Sequence, residues 1–529
     1  MSQPVFLRNA TGLVKSISAW RAFVFNIMYI TPSGVFWFLV IGQGLFPGGN
    51  LIIASLLTLI PSLIVAFMYA QFSAAMPRSG GDYVFASRIL HPSIGFMINF
   101  VVVIVNISVI GVGSIWITSF GLGPMFSGLA AIWHQQGLSS LATTVTTPTG
   151  EFIIGALAVI ILPSLIFFGN DVTFRIFNVL FAIAMFSIIV FVAVMISTPT
   201  SVFVANFNSL SSTSYNATIS AARNAGANLS FSNTDTLLLM IYTILAVWGF
   251  TFSQYMGGEV KNAQRSQVIS IIGSCIFYIL VICVPVSLVA YLSMGHNFLA
   301  ALNFLALNNN PAYTLPASLP TLAFLAGYAT KNGWILIIEG LGIIAGAIAT
   351  IGIADPFFII RCLFAWSFDR LIPAKFADVH EKYRVPHYSL AAIIVIGVFF
   401  AWMAVYTPLS LYITYNITAS FIIVAIVGVA AIVFPWKRKD LFTQAPKVTT
   451  ARIGKVPIIS IVGVACVIVG ILVAYASLLP AISGPFNPIY IGLTAVFFIV
   501  GFVIFWISYL ARKRSGIPLN MIFKEIPPE

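Results

Sequence analysis

The groups best suited to bind a solute in this sequence are backbone amides and carbonyls at two interrupted apolar segments. The first segment reads NIMYITPSGVFWF and holds Thr31-Pro32-Ser33-Gly34 in its middle; the second reads LLLMIYTILAVWGFTFSQYMGGEVKN and holds Gly249. Proline removes an N–H and glycine adds backbone freedom, so both segments are predicted to break as helices. A break frees N–H groups that can bind a carboxylate and carbonyls that can bind an ammonium group or a cation. The alternative for the first segment is a simple proline kink.

Two acidic residues, Glu339 and Asp355, lie within another long apolar segment. Placing an ionised carboxylate deep in a bilayer costs about 2.5–3.5 kcal/mol on insertion scales. An acidic residue in such a position is therefore a candidate for a functional role. We expect that one of the two titrates during the working cycle. The alternatives are that Glu339 is an acid at the membrane rim and that Asp355, which precedes Pro356, caps a restarting helix.

Composition identifies the environment that these groups occupy. Of 529 residues, 60% are apolar and 7% are charged, whereas soluble proteins carry about 25% charged residues. This excludes a soluble globular protein and intrinsic disorder. Twelve apolar segments are long enough to cross a bilayer, which takes roughly 20 residues each. They are Ala22–Phe46, Asn50–Met76, Ile94–Phe120, Phe152–Phe168, Phe174–Ile196, Thr236–Met256, Val268–Leu292, Trp334–Leu363, Tyr388–Tyr406, Leu409–Phe434, Pro457–Leu479 and Pro488–Leu510.

The basic residues predict the orientation of these segments. With both termini in the cytoplasm, every Lys and Arg except Arg223 and Lys331 falls on the cytoplasmic side, as the positive-inside rule requires. The net charge of +12 is therefore a topology signal and not the footprint of a nucleic-acid partner. We expect a multi-pass protein of the cell membrane, with the lipid bilayer as its surroundings. The ninth and tenth segments are separated only by Thr407–Pro408, which predicts a tight hairpin.

The two interrupted segments are the first and the sixth, so they stand at corresponding positions of two sets of five. This spacing predicts an inverted repeat, in which unwound backbone forms a binding site near the bilayer midplane. The predicted organisation is a cytoplasmic segment (1–21), a first five-helix repeat (22–196), an extracellular loop (197–235), a second repeat (236–434), a cytoplasmic loop (435–456), helices 11 and 12 (457–511) and a cytoplasmic tail (512–529).

Four patches of the sequence resemble the amino acid–polyamine–organocation transporter superfamily. They are PSGVF (Pro32–Phe36), PRSGGDYVFASRILHP (Pro77–Pro92), VWGFTFSQYMGGEVKNAQR (Val247–Arg265) and RCLFAWSFDRLIPAKFADVH (Arg361–His380). Three positions depart from the family pattern, because Pro32 and Arg370 stand where glycine is usual and Ala263 stands where proline is usual. The patches occur in the family's order and on the predicted membrane sides.

The resemblance implies an all-α, LeuT-like fold of ten helices in two inverted repeats plus two C-terminal helices, working by alternating access. It implies that substrate is held between the broken helices 1 and 6. Carried over residue by residue, the substrate-binding residues are Thr31, Pro32, Ser33, Gly34, Ala246, Val247, Trp248, Gly249 and Phe250. The amides of Ser33 and Gly34 are expected to bind a carboxylate, and carbonyls of helix 6 an amine.

The same resemblance bears on coupling and gating. Some proton-coupled members carry a lysine in helix 5, and here Ala184 takes that position. A sodium site would use carbonyls of helix 1 and a hydroxyl of helix 8, for which Thr350 is available, while Asp355 and Glu339 are the proton candidates. Exchange without an ion is the third possibility. The predicted cytoplasmic gate is formed by Arg78, Asp82, Glu259, Arg361 and Asp369, and the alternative is ordinary charge at the membrane surface.

The predicted function is secondary active transport of an amino acid with a neutral side chain, because neither break contains a charged side chain. A polyamine or a cationic amino acid is the alternative substrate, and a channel or a sensor on the same fold is an alternative class. An embedded enzyme is disfavoured, since the histidines lie in loops or at segment ends. No metal or organic cofactor is expected, apart from a proton or sodium as coupling ion.

Overall fold

The computed structural model describes residues 13–383, 385–414, 416–479, 482, 488–516 and 519–525. Parts of the predicted terminal segments, residues 1–12, 517–518 and 526–529, lie outside the described residues.

The described chain contains 12 helices that are long and apolar enough to cross a membrane, which we call spans 1 to 12. Their bounds confirm the predicted segments, with the largest extension in span 3. In order they are Ala19–Leu45, Leu51–Ala75, Pro92–Trp133, Pro148–Phe168, Asn170–Ser197, Asn233–Tyr255, Ala263–Met294, Gly333–Phe368, His387–Tyr406, Ile417–Lys437, Ile458–Ser477 and Pro488–Arg514.

Six of the spans are not uniform α-helices. Spans 1 and 6 are broken in the middle, span 4 ends in a 3₁₀ turn, and spans 3, 7 and 8 each contain a π-helical turn, a feature often found at functional sites. The pieces are Ala19–Ile30, Pro32–Gly34 and Val35–Leu45; Pro92–Ile115, Trp116–Leu122 and Gly123–Trp133; Pro148–Ser164 and Leu165–Phe168; Asn233–Val247 and Phe252–Tyr255; Ala263–Phe277, Tyr278–Cys283 and Val284–Met294; and Gly333–Ala347, Ile348–Ala354 and Asp355–Phe368.

Short helices fill the long connections, including the predicted loop 197–235, which the Ser- and Asn-rich composition did not indicate. They are Asp82–Ile89, Gln136–Val145, Thr200–Leu210, Tyr215–Asn224, Gly257–Glu259, His296–Leu307, Leu322–Thr330, Ala374–Ala377, Leu409–Thr414, Lys439–Gln444, Lys447–Thr450 and Leu519–Ile522. Strands Arg452–Ile453 and Val456–Pro457 form a small antiparallel hairpin.

The predicted tight hairpin at Thr407–Pro408 is wrong. Leu409–Thr414 forms a separate short helix, and span 10 begins at Ile417. The side chain of Asn416 accepts a hydrogen bond from the Ala419 amide at 3.0 Å and so caps the new helix. The apolar run continues across this point, so hydropathy alone could not reveal the break.

The outer surface of the bundle is apolar, as lipid requires. Large apolar side chains such as Phe186, Val395 and Ile507 are more than half exposed. Because the number of spans is even, span 1 begins and span 12 ends at the same end of the bundle. We call this the terminus end, and the opposite end, which carries residues 198–232, the long-loop end.

Candidate functional site between spans 1 and 6

The break in span 1 is centred on Thr31, where the backbone leaves the α-helical conformation. This residue has φ +65°, and its amide donates back to the Met28 carbonyl at 3.2 Å. The 3₁₀ turn Pro32–Gly34 follows, and the helix restarts at Val35. Tyr278 of span 7 donates from its hydroxyl to the freed Thr31 carbonyl at 3.0 Å, so span 7 supports the break.

The polar groups of this turn are engaged with span 8 and with each other. The Ser33 hydroxyl donates to the Gly342 carbonyl at 2.9 Å, and the Gly34 amide donates to the Thr31 carbonyl at 2.7 Å. The Gly34 amide, expected to bind a carboxylate, is therefore occupied within the turn in this conformation.

The break in span 6 depends on Gly249. The helix ends at Val247, Trp248 is extended, and Gly249 has φ +138°, a conformation that residues with a side chain rarely adopt. A Cβ atom at this position would lie 2.2 Å from Cδ1 of Tyr29, so glycine also permits close contact with span 1.

Side chains of spans 1 and 7 fasten the unwound part of span 6. The Ser253 amide donates to Asn26 Oδ1 at 2.8 Å, and Asn26 Nδ2 donates back to the Ser253 hydroxyl at 3.2 Å. Gln267 Nε2 donates to the Ser253 carbonyl at 2.9 Å. Asn26, just before the break in span 1, and Ser253, just after the break in span 6, are thus joined by a reciprocal pair of hydrogen bonds.

Between the two breaks lies a cavity of about 90 Å³, the central chamber. This is room for several water molecules. Its wall combines aromatic rings with neutral polar side chains, and none of the described residues in it is ionised at neutral pH. The lining residues are Tyr29, Ile30, Phe38, Val105, Asn106, Val109, Trp116, Leu245, Trp248, Thr350, Asn416, Ile417 and Ser420.

A cavity on each side of the central chamber shares lining residues with it. Toward the long-loop end it shares Phe38, Trp116 and Leu245 with a cavity of about 450 Å³. Toward the terminus end it shares Asn106 and Trp248 with a cavity of only about 30 Å³. The three cavities mark a path along the bundle that is wide at the long-loop end and nearly closed at the terminus end.

Some of the predicted site residues line the wall of the central chamber, and the others lie behind that wall. Trp248 and Thr350 line the central chamber. The others are buried beside it and shape the breaks rather than form its wall; they are Thr31, Pro32, Ser33, Gly34, Ala246, Val247, Gly249 and Phe250.

Thr350 belongs to a hydroxyl cluster that joins span 8 to the break in span 1. Its hydroxyl is within hydrogen-bonding distance of the Thr31 hydroxyl, and it donates toward the Met28 and Gly346 carbonyls, each at 3.1 Å. These oxygens include the carbonyl and hydroxyl groups expected of a sodium site. In this conformation they are hydrogen bonded to one another, which fixes span 8 against span 1.

The two acids of span 8 are both buried inside the protein, and Glu339 lies six residues after the start of the span. Its Oε2 accepts a hydrogen bond from Ser187 of span 5 at 2.7 Å, and the side chain is buried. Asp355 is fully buried at the junction of the π-helical turn with the helix that follows. The helix runs through this junction without restarting, so Asp355 is not a cap.

The terminus end is closed by two buried ion pairs. Arg361 of span 8 holds Glu259, just after span 6, with two hydrogen bonds of 2.7 and 3.1 Å. Arg88 in the helix Asp82–Ile89 holds Asp369, just after span 8, with bonds of 2.7 and 2.8 Å. Asn170 at the start of span 5 donates to Glu259 at 2.7 Å. These contacts join spans 5, 6 and 8 and the connection between spans 2 and 3.

Asp82 lies at the terminus end of this path, in the wall of the small cavity there. Burial raises the pKa of its carboxyl from 3.8 to about 6, although Asn99 and Tyr255 donate hydrogen bonds to it. The predicted gate residue Arg78 donates to the carbonyl of its neighbour Pro77 at 3.0 Å.

This geometry agrees with what related sequences show. A family model described as amino acid permease matches residues 22–521. The chain belongs to the amino acid permease family. A methylthioribose transporter of Bacillus subtilis (strain 168) is 23% identical over 377 residues, which cover 71% of this chain and 72% of that protein.

This permease is therefore a multi-pass membrane transporter of the amino acid–polyamine–organocation superfamily and not an enzyme. Its 12 spans have the all-helical, LeuT-like architecture that the family implies. A small-molecule substrate and the lipid bilayer follow from this membership.

Several residues that build the permease's path were missed by the sequence reasoning. Asn106 carried a usable signal, because it is an amide in the middle of the apolar span 3. Asn416 and Ser420 were hidden because span 10 was predicted to run through them. Arg88 was not chosen as a gate residue, because in the sequence it resembles any other basic residue of a loop.

Proposed function

We propose that this permease moves amino acids with neutral side chains across the cell membrane by alternating access. Substrate binds in the central chamber between the breaks in spans 1 and 6. The observation that carries the proposal is the chamber wall, in which the described residues offer aromatic rings and the neutral polar groups of Asn106, Thr350 and Ser420 but no ionised side chain. A zwitterion needs only dipoles at its two charged ends, and such a wall suits it.

The positive-inside rule places the terminus end in the cytoplasm. The conformation described above then opens toward the outside, through the cavity of about 450 Å³. The buried pairs Arg361–Glu259 and Arg88–Asp369 close the cytoplasmic side. Breaking these pairs and closing the walls around Phe38 and Trp116 converts the protein to the inward-open state.

A neutral sugar is the second substrate candidate. The relative from Bacillus subtilis is named for methylthioribose, and a thioether sugar also suits an uncharged wall with aromatic rings. A polyamine or a cationic amino acid is less well matched, because none of the described residues in the chamber wall carries an acidic side chain.

The test is counterflow into liposomes that contain the purified full-length protein. The probes are the twenty amino acids, 5-methylthioribose and putrescine, each labelled and exchanged against its own unlabelled form. Exchange of neutral amino acids supports the proposal. Exchange of methylthioribose alone selects the sugar, and exchange of putrescine alone refutes the neutral-substrate assignment.

Two matched tryptophan variants locate the site. We expect Trp248→Ala to raise the KM for exchange at least about tenfold, because a buried aromatic contact contributes on the order of 2 kcal/mol. Trp334→Ala removes the same side chain from an exposed position at the long-loop end and should leave the KM unchanged. Equal effects of the two changes would place the substrate elsewhere.

Proton and sodium are the two candidate coupling ions. We propose a proton, because the oxygens of the Thr31–Thr350 cluster are satisfied by one another. The position that carries a coupling lysine in some relatives is Ala184, so another group must bind the proton.

A further inference from the structure

Asp355 is a buried acid with unusual surroundings. It is fully buried in span 8, and neither carboxyl oxygen has a hydrogen-bond partner among the residues that the structure describes. An ionised carboxylate without partners is strongly disfavoured inside a membrane protein. Asp355 is therefore present as the neutral acid in this conformation, with its proton attached.

One side chain connects this acid to the central chamber. The Tyr29 ring packs against Phe358, about one turn after Asp355 in span 8, with ring centroids 5.9 Å apart, and the Tyr29 side chain lies next to the Asp355 carboxyl. The Tyr29 hydroxyl donates to Asn106 Oδ1 of span 3. Tyr29 and Asn106 both line the chamber. The Tyr29 ring also stacks on Phe252 of span 6, with ring centroids 3.8 Å apart. The acid thus lies beside the residue at which spans 1, 3 and 6 meet.

Other ionisable groups are remote from Asp355 or already paired. Span 3 contains none between Pro92 and Trp133. Within span 8, Glu339 is bonded to Ser187 about four turns away, and Arg361 is paired with Glu259. Arg21 at the start of span 1 is paired with Asp171 at the start of span 5. The remaining groups on the packed elements are Glu151 near the start of span 4, Arg175 at the start of span 5, Tyr255 at the end of span 6, Cys362 on span 8, Lys375 after it, and His387, Tyr388 and Tyr406 at the ends of span 9.

We propose that Asp355 binds the proton that is transported together with substrate. When the chamber opens toward the cytoplasm, water enters, the carboxyl O–H bond breaks, and the proton passes to water beside the Tyr29 hydroxyl. The carboxylate that remains stays hydrated while the empty protein returns to the outward-open conformation, and there it takes up a proton from the outer solution before the next substrate is carried. One proton then crosses with each neutral substrate molecule. This inference rests on the proposed function for the identity of the substrate.

Glu339 provides a matched control on the same span. It is also buried, but Ser187 donates to its Oε2. It lies in the wall of a separate small cavity, beside Phe120 and Phe324, and not in the wall of the central chamber. Its neutralisation should therefore leave proton coupling intact.

The first experiment measures accumulation of labelled L-alanine, L-leucine and L-phenylalanine in liposomes whose interior is one pH unit more alkaline than the outside. With one proton per substrate, the full-length protein should concentrate its substrate about tenfold, since one pH unit is a tenfold ratio. Asp355→Asn should show no accumulation, while counterflow at equal pH continues. Glu339→Gln should accumulate like the unchanged protein. Accumulation by Asp355→Asn equal to that of the unchanged protein overturns the proposal.

A second measurement does not need a substrate. Infrared spectra of the full-length protein in lipid bilayers at neutral pH should contain a band of a protonated carboxyl group that Asp355→Asn removes. Tyr29→Phe should shift this band, because it removes the neighbouring hydroxyl. Identical spectra for the unchanged protein and Asp355→Asn overturn the proton assignment. If none of the three amino acids exchanges in counterflow, they are not substrates, and the infrared result still decides the role of Asp355.

Discussion

Gly249→Ala tests the conformation of the span 6 break. Gly249 has φ +138°, and a backbone strained in this way costs about 1–3 kcal/mol when the residue carries a side chain. The new Cβ would also lie 2.2 Å from Tyr29 Cδ1 and 2.9 Å from Ile30 Cγ1, and overpacking of this kind costs about 1–3 kcal/mol more. We expect a total loss of about 2–6 kcal/mol in the free energy of unfolding.

Two other glycines are controls for this change. Gly34 lies in the span 1 break, but its φ is −57° and an added Cβ would meet its nearest neighbours at 3.5–3.6 Å. Gly273 lies in span 7, where an added Cβ would meet Phe23 at 3.8 Å. Alanine should be tolerated at both positions, although sequence alone would rank Gly34 and Gly249 as equally necessary for a break.

The assay is the thermal unfolding midpoint of each purified variant in detergent, followed by counterflow of the amino acid that the unchanged protein exchanges best. Gly249→Ala should unfold at a clearly lower temperature and lose exchange, while Gly34→Ala and Gly273→Ala stay close to the unchanged protein. A midpoint for Gly249→Ala equal to that of Gly273→Ala would refute the strained-break reasoning.

Three further predictions concern the gate and the hydroxyl cluster. The pKa of Asp82 is raised by burial from 3.8 to about 6, so its contribution to the stability of the folded protein is complete below pH 4 and is lost as the pH rises through 6. The difference of about two pH units corresponds to roughly 3 kcal/mol. The thermal midpoint should fall across this pH range, and Asp82→Asn should lack that step; an unchanged step would contradict the assignment. Glu259→Gln leaves Arg361 buried without its partner and should cost about 3–5 kcal/mol of stability by thermal unfolding, part of which the double change with Arg361→Gln should restore. No loss in the single variant would argue against this pair. Thr350→Val removes the hydroxyl that joins span 8 to the Thr31 hydroxyl and the Met28 carbonyl and should cost about 1–3 kcal/mol in the same assay. Replacing sodium by choline should leave uptake by the unchanged protein unaffected; a sodium requirement that Thr350→Val removes would make the cluster a sodium site.

Much of the fold follows from the sequence because a membrane imposes strong constraints. Apolar length located the 12 spans to within a few residues at most ends, since every span must cross the same hydrocarbon thickness. The break in span 1 was visible because Pro32 and Gly34 are both poor helix formers. The start of span 10 was not visible, because Asn416 acts through a cap that an apolar average does not register.

The chamber could be predicted only in part. Helix breaks indicate where backbone is unwound, but they do not indicate which side chains of other spans face the unwound backbone. Asn106 reaches the chamber because span 3 passes beside Tyr29, and Arg88 meets Asp369 although 281 positions of the sequence separate them. Such pairings depend on packing between distant helices, for which a single sequence gives no distance.

The central claim is that a neutral solute binds between the two breaks, and ligand-dependent thermal stabilisation tests it most directly. The purified full-length protein would be screened with the twenty amino acids, 5-methylthioribose and putrescine, alongside Asn106→Leu in the chamber and Asn224→Leu on an exposed helix. A ligand at a hundred times its Kd should stabilise the native state by about 2.7 kcal/mol. We predict that a small group of neutral amino acids stabilises the unchanged protein and Asn224→Leu, and that Asn106→Leu loses this response. Stabilisation by putrescine alone, or equal stabilisation of Asn106→Leu, would contradict the account.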